Sequence, residues 1–458
     1  VNLKASRTMA VYNVLDHGAA GDGQSNDGPA FQKALDACNA GGGGTVLVPA
    51  GRTYLCGQLW MKSNVDFHVE AGARVLQSAD RADYFDTRGS HRCWIGADGA
   101  KNLSFTGGGV LDANGYKFMA SEEDYIYVPG RWRLHMFYLT GCKDLTFRDV
   151  TISNAPMWTV RITGCDGVLF SGINILNDTK VPHNDGIDID CCKNVRISDC
   201  NIVCGDDAIV LKAMPGVADQ FGACENIVVT NCVLQSTSSA LIIGCEANAP
   251  IRNVIFGGCV VRSSHRGLAI HLSQGSDVEN VLFSNMIVET RLFYDRWWGR
   301  GEPIYVTSVP WTKDDRVGQV RNVRFTNILC HSENGVFVYG WEPDRIKGLV
   351  LENVRVEIDH WSRWPAGQHD IRPYPEDEGH QGPAGPVGSG VYDYPTAGFF
   401  LRNATDVTVR NCEVVWNAEH RQEAWRYALE SHGMDGLRLE GFRGRSAWPD
   451  KYKAVEQD

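Results

Sequence analysis

Two segments stand out for the chemistry their side chains could do: His183-Asn184-Asp185-Gly186-Ile187-Asp188, and downstream Gly205-Asp206-Asp207-Ala208-Ile209-Val210-Leu211-Lys212. Each is a carboxylate cluster that runs straight into an apolar stretch of β type. A carboxylate in such a place is costly to desolvate unless it is paired, hydrogen-bonded or used. One use is cleavage of a glycosidic bond, where a protonated carboxyl meets the leaving oxygen and an ionised one directs water. Three carboxylates brought together repel one another, which raises at least one pKa and supplies an acid near neutral pH. Asp185, Asp206 and Asp207 are the candidates. Asp188 and Asp190 read equally well as solvated turn residues.

Both segments belong to a repeat. An Asn, Asp or Gly is followed by alternating apolar positions, and clear copies begin at Asn194, Asn226, Asn253, Asn280 and Asn322. Weaker copies begin at Asn102, Asp144, Gly167, Gly348, Asp406 and Gly436. The commonest spacing, roughly 23 to 32 residues, is that of a solenoid. Apolar alternation over a few residues indicates strands rather than helices. The expected fold is therefore all-β, a single-domain right-handed parallel β-helix in which stacked turns share one core. A TIM barrel would need helices between the strands, and a β-sandwich fits the repeat poorly. Equivalent residues of successive turns lie about 4.8 Å apart. Pairing the two segments in register would stack Asp185 on Asp206 and Gly186 on Asp207.

Residues 1–63 are expected to form an N-terminal strand and cap, 64–445 the coils, and 446–458 a tail. Asn26 to Asn39 reads as the capping helix, with Asp27 as N-cap, Pro29 in the first turn, and Ala30, Phe31, Ala34, Leu35 and Cys38 on one apolar face. The Gly41–Gly44 run ends it. Insertions are expected near 291–303 and 361–396, the second rich in Gly and Pro. Cys200, Cys232, Cys259 and Cys412 share a repeat position with Met286, Ile328 and Val354, as small buried hydrophobes do. Cys191 and Cys192 read as core and turn residues rather than metal ligands. Fifteen cysteines without a zinc-like spacing suggest free thiols, which favours a reducing, cytoplasmic compartment. Val1 to Ala10 does not read as a signal peptide. A net charge of −11 disfavours nucleic acid as a partner, and no apolar run is long enough to span a membrane. Assembly into a homo-oligomer stays open. No metal and no cofactor is expected.

The sequence resembles glycoside hydrolase family 28, the polygalacturonase family, over most of its length. The sharpest match is Gly205-Asp206-Asp207-Ala208-Ile209; the run Val14 to Gly23 is like the opening of many β-helix sugar enzymes. The resemblance implies that Asp206 is the general acid and that Asp185 and Asp207 activate the water, with inversion at the anomeric carbon. Two family segments are missing. Ser238-Ser239-Ala240 stands where the family has Gly-His-Gly, so Ser239 replaces a His. Gly267-Leu268-Ala269-Ile270-His271 stands where the family has Arg-Ile-Lys, so Ala269 and His271 replace the cations that grip a galacturonate carboxylate. A buried carboxylate needs a bidentate Arg or a Lys. Ordinary polygalacturonan is therefore not the expected substrate; a neutral sugar, a differently linked uronide or a modified oligosaccharide of plant or microbial origin is.

Other side chains are candidates to touch it. His183 and Asn184 flank Asp185, and His265, Arg266 and His271 lie at or beside stacked positions, the histidines as charged groups or as hydrogen-bond donors. Arg296, Trp297, Trp298 and Glu302 are expected in a cleft wall, since adjacent tryptophans are costly to expose without use. Tyr305 begins the next strand, and Trp341, Trp361 and Trp364 are further candidates. The insertions after Asn280 and Gly348 could block one end of the groove and favour exo action. Two other readings compete with an inverting glycosidase. One is a β-helix lyase or intramolecular glycosyl transferase, the lyase usually needing calcium. The other is a noncatalytic carbohydrate-binding solenoid.

Overall fold

The computed structural model describes residues 10–85, 88–295, 297–311, 315–372 and 390–458. The repeat is realised as a parallel β-helix. One sheet of 13 strands runs from Leu59–Trp60 to Val455–Gln457, each strand pairing in parallel with those of the coils before and after. The remaining faces of the coils form a larger sheet, in which Val278–Thr290, Val320–Ser332 and Ile346–Ile358 are unbroken strands.

The residues that begin the repeat explain how each coil turns. Asn102, Asp144, Asn194, Asn226, Asn253, Asn280, Asn322 and Asp406 all take left-handed backbone, with φ between 52° and 63°. Asn and Asp tolerate this region because their short polar side chains bond locally. Here the asparagines bond to each other instead. Asn226 Nδ2 donates to Asn194 Oδ1, Asn253 to Asn226 and Asn280 to Asn253, each at 3.2 Å, and Asn322 donates to Asn280 at 2.7 Å. One residue type thus serves both the corner and the contact to the next coil.

The interior is stacked in the same way. Phe105, Phe147 and Phe170 lie face to face at 4.7 and 4.8 Å, and Phe256, Phe283 and Phe325 at 4.8 and 4.6 Å. Cys200, Cys232, Cys259 and Cys412 are buried, and the fifteen cysteines are all free thiols. Cys191 and Cys192 are core residues as well.

The capping helix spans Gly28–Ala40 and buries Phe31, Ala34, Leu35 and Cys38 against the first coils. Asp27 occupies the N-cap position as expected, but its side chain makes no capping bond. Its carboxylate accepts instead from the backbone N–H groups of Ala20 (2.6 Å) and Gly21 (3.1 Å), tying down the preceding loop. The ladder also outruns the repeat at both ends: Val11–Asn13 pairs with Gly44–Val48, and Val455–Gln457 pairs with Leu429–His432 inside the expected tail. Of the 361–396 segment, 373–389 lies outside the described residues. Its flanks fold back over the 13-stranded sheet, where Ile371 and Ala397 close a second small core with Val210, Ile242, Ala269, Tyr305, Phe337 and Phe400.

Asn253→Ala is expected to lower stability by about 1–2 kcal/mol in urea unfolding, since Ala resists left-handed backbone. Asn253→Gly, which accepts that backbone, should lose clearly less.

Candidate active site

Along the 13-stranded sheet, Ile187, Ile209, Leu241, Leu268 and Ile304 are direct neighbours on successive coils. Two residues upstream of each, this register lines up Asp185, Asp207, Ser239, Arg266 and Glu302. The stacking expected from the sequence is therefore off by one residue. Asp185 lies opposite Asp207 rather than Asp206, and Gly186 N donates to Asp207 O at 2.8 Å. Asp206 sits one residue earlier, at the edge of the column, and its carboxyl turns back to the same patch. One carboxylate oxygen each from Asp185, Asp206 and Asp207 lie within 4.8 Å of one another.

Two glycines permit this approach. A Cβ on Gly186 would come within 2.3 Å of Ala208 O, and one on Gly205 within 2.4 Å of Val181 O. Asn184 fastens the two segments: its Oδ1 accepts from Gly205 N at 2.5 Å and its Nδ2 donates to Asp178 O at 2.9 Å. Asn184 was expected to meet substrate; it is fully buried with both side-chain polar atoms engaged, so it positions the acids instead.

The electrostatics separate the acids. Asp206 is only 6% exposed. Burial, with the Asp207 carboxylate beside it, pushes its pKa up to about 7. Burial, then Asp188, Asp206 and Asp207, holds Asp185 well above the usual carboxylate range. Asp207 is oriented by two donors to one oxygen, Ser238 Oγ at 2.8 Å and Ser239 N at 3.0 Å. Asp188 is not a solvated turn residue. It is fully buried, neither oxygen has a hydrogen-bond partner among the described residues, and burial raises its pKa against the pull of Lys212 and Arg161. Asp190 is also buried and pairs with Arg161 at 2.9 Å.

Several members of this site escaped the sequence reading. Lys212 is buried two strands from His271 and pairs with Glu246 at 3.0 Å. Burial opposes its charge, but Glu246, Asp188, Asp185 and Asp207 outweigh it and raise its pKa. Trp158 lies one coil before Asp185 and receives the guanidinium of Arg161 over its ring at 4.9 Å and the ammonium of Lys212 at 5.3 Å. Arg133 donates to Pro182 O at 2.7 Å and lies 2.8 Å from His183 Nδ1. A lysine ending an apolar run and a tryptophan one coil upstream of Asp185 were the available signals.

The expected substrate contacts divide. His183 and His271 border the acids' face, and the insertion brings Trp297 and Trp298 against them at ring distances of 5.6 and 5.9 Å. Ser239 Oγ and His271 Nε2 are buried without a partner among the described residues. The histidines are not cations. Burial, then Arg133 and Lys212, pushes His183 down to about 4. Burial brings His271 and His265 to about 3.

His265 does not face the cleft. Its Nε2 accepts from the backbone of Phe293 and Tyr294, and its Nδ1 contacts Trp298 O at 3.1 Å, so it anchors the insertion. Arg266, Glu302 and Tyr305 are likewise corrected from substrate contacts to a buried foundation. The Arg266 guanidinium lies 3.5 Å from the Tyr305 ring centroid, 3.3 Å from Asp370 Oδ2 and 3.6 Å from Glu302 Oε2. Tyr305 donates to Asp370 O at 2.8 Å. The covering Asp370 segment could not be foreseen from local sequence. Arg296 lies outside the described residues.

The profile of Glycosyl hydrolases family 28 matches residues 38–294, more than half of the chain. The chain belongs to this family. It is 32% identical over 205 residues to a probable endo-xylogalacturonan hydrolase A of Aspergillus niger, covering 42% of this chain and 48% of that one. It is 28% identical over 222 residues to a probable polygalacturonase of Vitis vinifera, covering 44% of each. The chain thus spans a little under half the length of these curated relatives. Among solved structures it resembles a family 28 exopolygalacturonase of Yersinia enterocolitica (TM-score 0.69, 17% identity, 97% of this chain and 79% of that one). It also resembles a hyperthermoactive exopolygalacturonase of Thermotoga maritima (TM-score 0.59, 21% identity, 94% and 92%). These likenesses establish the fold, a right-handed parallel β-helix.

The three oxygens of Asp185, Asp206 and Asp207 are also a partial donor set for a divalent cation. Calcium takes six to eight oxygens, and the adjacent Lys212 ammonium supplies positive charge to the same patch.

The raised acids set a dependence of stability on pH. A carboxyl whose pKa is raised by folding contributes stability that is complete below its unfolded value and is lost as pH rises through the folded one. Between pH 4 and pH 8 Asp206 therefore costs stability, on the order of 4 kcal/mol at most. Asp206→Asn should raise Tm at pH 8 and change it little at pH 4.

Proposed function

We propose that this chain is a glycosidase cleaving an α-linked, pectin-related oligo- or polysaccharide at a residue that presents no free carboxylate. The carrying observation is the carboxyl trio on adjacent coils, one member of which has its pKa near neutrality. Asp206 donates its proton to the leaving oxygen as the glycosidic bond breaks. Asp207, fixed by Ser238 and Ser239, takes a proton from the attacking water, and Asp185 helps to hold that water. Transfers of this kind contribute about 10²–10⁴ in rate.

Charge supports the substrate class. Ala269 and His271 occupy the strand where the family's cations would stand, and His271 is neutral. Two of the nearby cations are already committed, Lys212 to Glu246 and Arg266 to Asp370 and Glu302. A free uronate would enter a site crowded with carboxyls, where among the described cations beside the acids Arg133 alone faces a carbonyl and a histidine rather than a carboxylate. The relatives' names, polygalacturonase and endo-xylogalacturonan hydrolase, support a pectic backbone. A methyl-esterified or neutral residue in such a backbone reconciles the two. The 297–300 and 370–372 segments covering the sheet beyond Arg266 support attack from a chain end.

Stereochemistry has two readings. The family resemblance supports inversion. The trio's spacing, 4.8 Å or less between nearest oxygens, is closer to the about 5–5.5 Å of retaining pairs than to the about 6.5–9.5 Å usual for inverting ones.

The test is hydrolysis of free and methyl-esterified oligogalacturonides, rhamnogalacturonan oligosaccharides and xylogalacturonan oligosaccharides, with proton NMR of the nascent anomer. Cleavage with inversion is expected, with kcat/KM at least tenfold higher for esterified than for free galacturonide. Asp206→Asn should lower kcat by about 10²–10⁴. The proton on Asp206 is required, so kcat/KM should fall as pH rises through about 7. EDTA should have no effect; an EDTA-sensitive reaction giving an unsaturated product would identify a lyase.

A further inference from the structure

A second cleft lies at the rim of this site and takes no part in the chemistry above. Its lining residues come from three segments far apart in the chain: Glu123, Asp124 and Tyr125 from the turn of the hairpin Met119–Glu123/Ile126–Pro129, Tyr294 and Asp295 from one insertion, and Arg363 and Trp364 from the other. The open volume is about 430 Å³, within the range of small-ligand clefts, about 300–1,000 Å³. Three aromatic rings converge there. Tyr125 is 6.0 Å from Tyr294 and 5.9 Å from Trp364, and Tyr294 is 6.5 Å from Trp364. The Arg363 guanidinium lies 4.5 Å from the Tyr125 centroid and 4.6 Å from that of Trp364.

Rings that share a wet cleft with carboxylates are suited to a ligand with both an apolar face and a polar rim. A pyranose is such a ligand: its axial C–H face packs on an aromatic ring, and its vicinal hydroxyls donate to carboxylates and accept from a guanidinium. Three carboxylates against one arginine select a neutral ring over an anionic one. A cationic ligand is disfavoured, because Arg363 already sits against two of the rings.

The cleft is joined to the acids from two sides. Asp295 precedes Trp297 by two residues, at most about 7 Å of chain, and Trp297 packs on His183. On the hairpin side, Tyr127 N donates to Lys180 O at 2.9 Å, and Lys180 pairs with Glu122. Lys180 lies on the loop that leads into Asp185.

We infer that the cleft formed by Tyr125, Tyr294 and Trp364 is an outer sugar-binding subsite, which holds a neutral glycosyl residue of the substrate away from the bond being cleaved. This rests on the glycosidase reading for its link to turnover, but not for binding itself. The probes are methyl-esterified oligogalacturonides, rhamnogalacturonan oligosaccharides and xylogalacturonan oligosaccharides in graded lengths. Binding is measured by calorimetry in the Asp206→Asn protein, with and without Tyr125→Ala and Trp364→Ala. The pair of substitutions should weaken the longer members of the bound series at least tenfold and leave the shortest unchanged. In the otherwise unaltered enzyme, the same pair should raise KM for long substrates and keep kcat/KM on the shortest, which also shows that the variant is folded. Equal losses at every length, no loss at any length, or no binding of any probe overturns the subsite. Displacement of a bound oligosaccharide by choline would reassign the cleft to a cation. Length-dependent binding without turnover keeps the subsite and sinks the glycosidase reading; turnover with unchanged length dependence does the reverse.

Discussion

Each coil of this solenoid has its backbone N–H and C=O groups satisfied by the coils on either side, so its strands must stack in register or leave buried polar groups unpaired. That requirement sets the position of nearly everything else. Once Ile187 lies on Ile209 and Ile209 on Leu241, the residues two places upstream stack at the interstrand distance whatever their charge. Asp185 and Asp207 are neighbours for this reason. The energy of the asparagine ladder, the phenylalanine stack and the buried thiols holds together groups that would separate in water.

The charge balance at the site follows from this forced proximity. Arg161 is matched to Asp190 and Lys212 to Glu246 by direct contact. Among the described residues, Asp185, Asp188 and Asp206 have no such partner, and burial raises the pKa of each. A fold selected for stability alone would place apolar residues there, since unpaired buried carboxyls are among the most costly groups. Their presence beside Gly186 and Gly205, whose missing Cβ atoms let the segments close, is a local cost to stability of the kind found at functional sites.

How much of this was legible in the sequence depends on the range of the interaction concerned. The coil corners could be read because left-handed backbone and the ladder both demand Asn at one repeated position. The acids could be read because carboxylates at the head of an apolar strand are conspicuous. The one-residue error in stacking Asp185 arose because register is set by how the 205–208 turn between Asn201–Cys204 and Ile209–Ala213 is threaded, which residue spacing does not determine. The role of Asn184 was hidden for the same reason, as it depends on Gly205 lying beneath it. Arg266 and Tyr305 were misread as substrate contacts because the Asp370 segment that pairs with them lies far along the chain, and His265 and Glu302 because their partners come from the folded-back insertion and from Arg266. Lys212 and Trp158 were missed because their meaning comes only from the coils on either side.

The uncharged residue at 269 and the covering of the sheet are also physically linked. Ala269 stands between Ile242 and Tyr305 in an outward column that becomes apolar from Val210 onward and is closed by Ile371 and Phe400. An arginine at 269 would be driven into that second core, where an uncompensated charge is strongly destabilising. The insertions can lie down on this face only if the position is small and uncharged. In this chain the covering of the sheet and the small, uncharged residue at 269 are two aspects of the same packing.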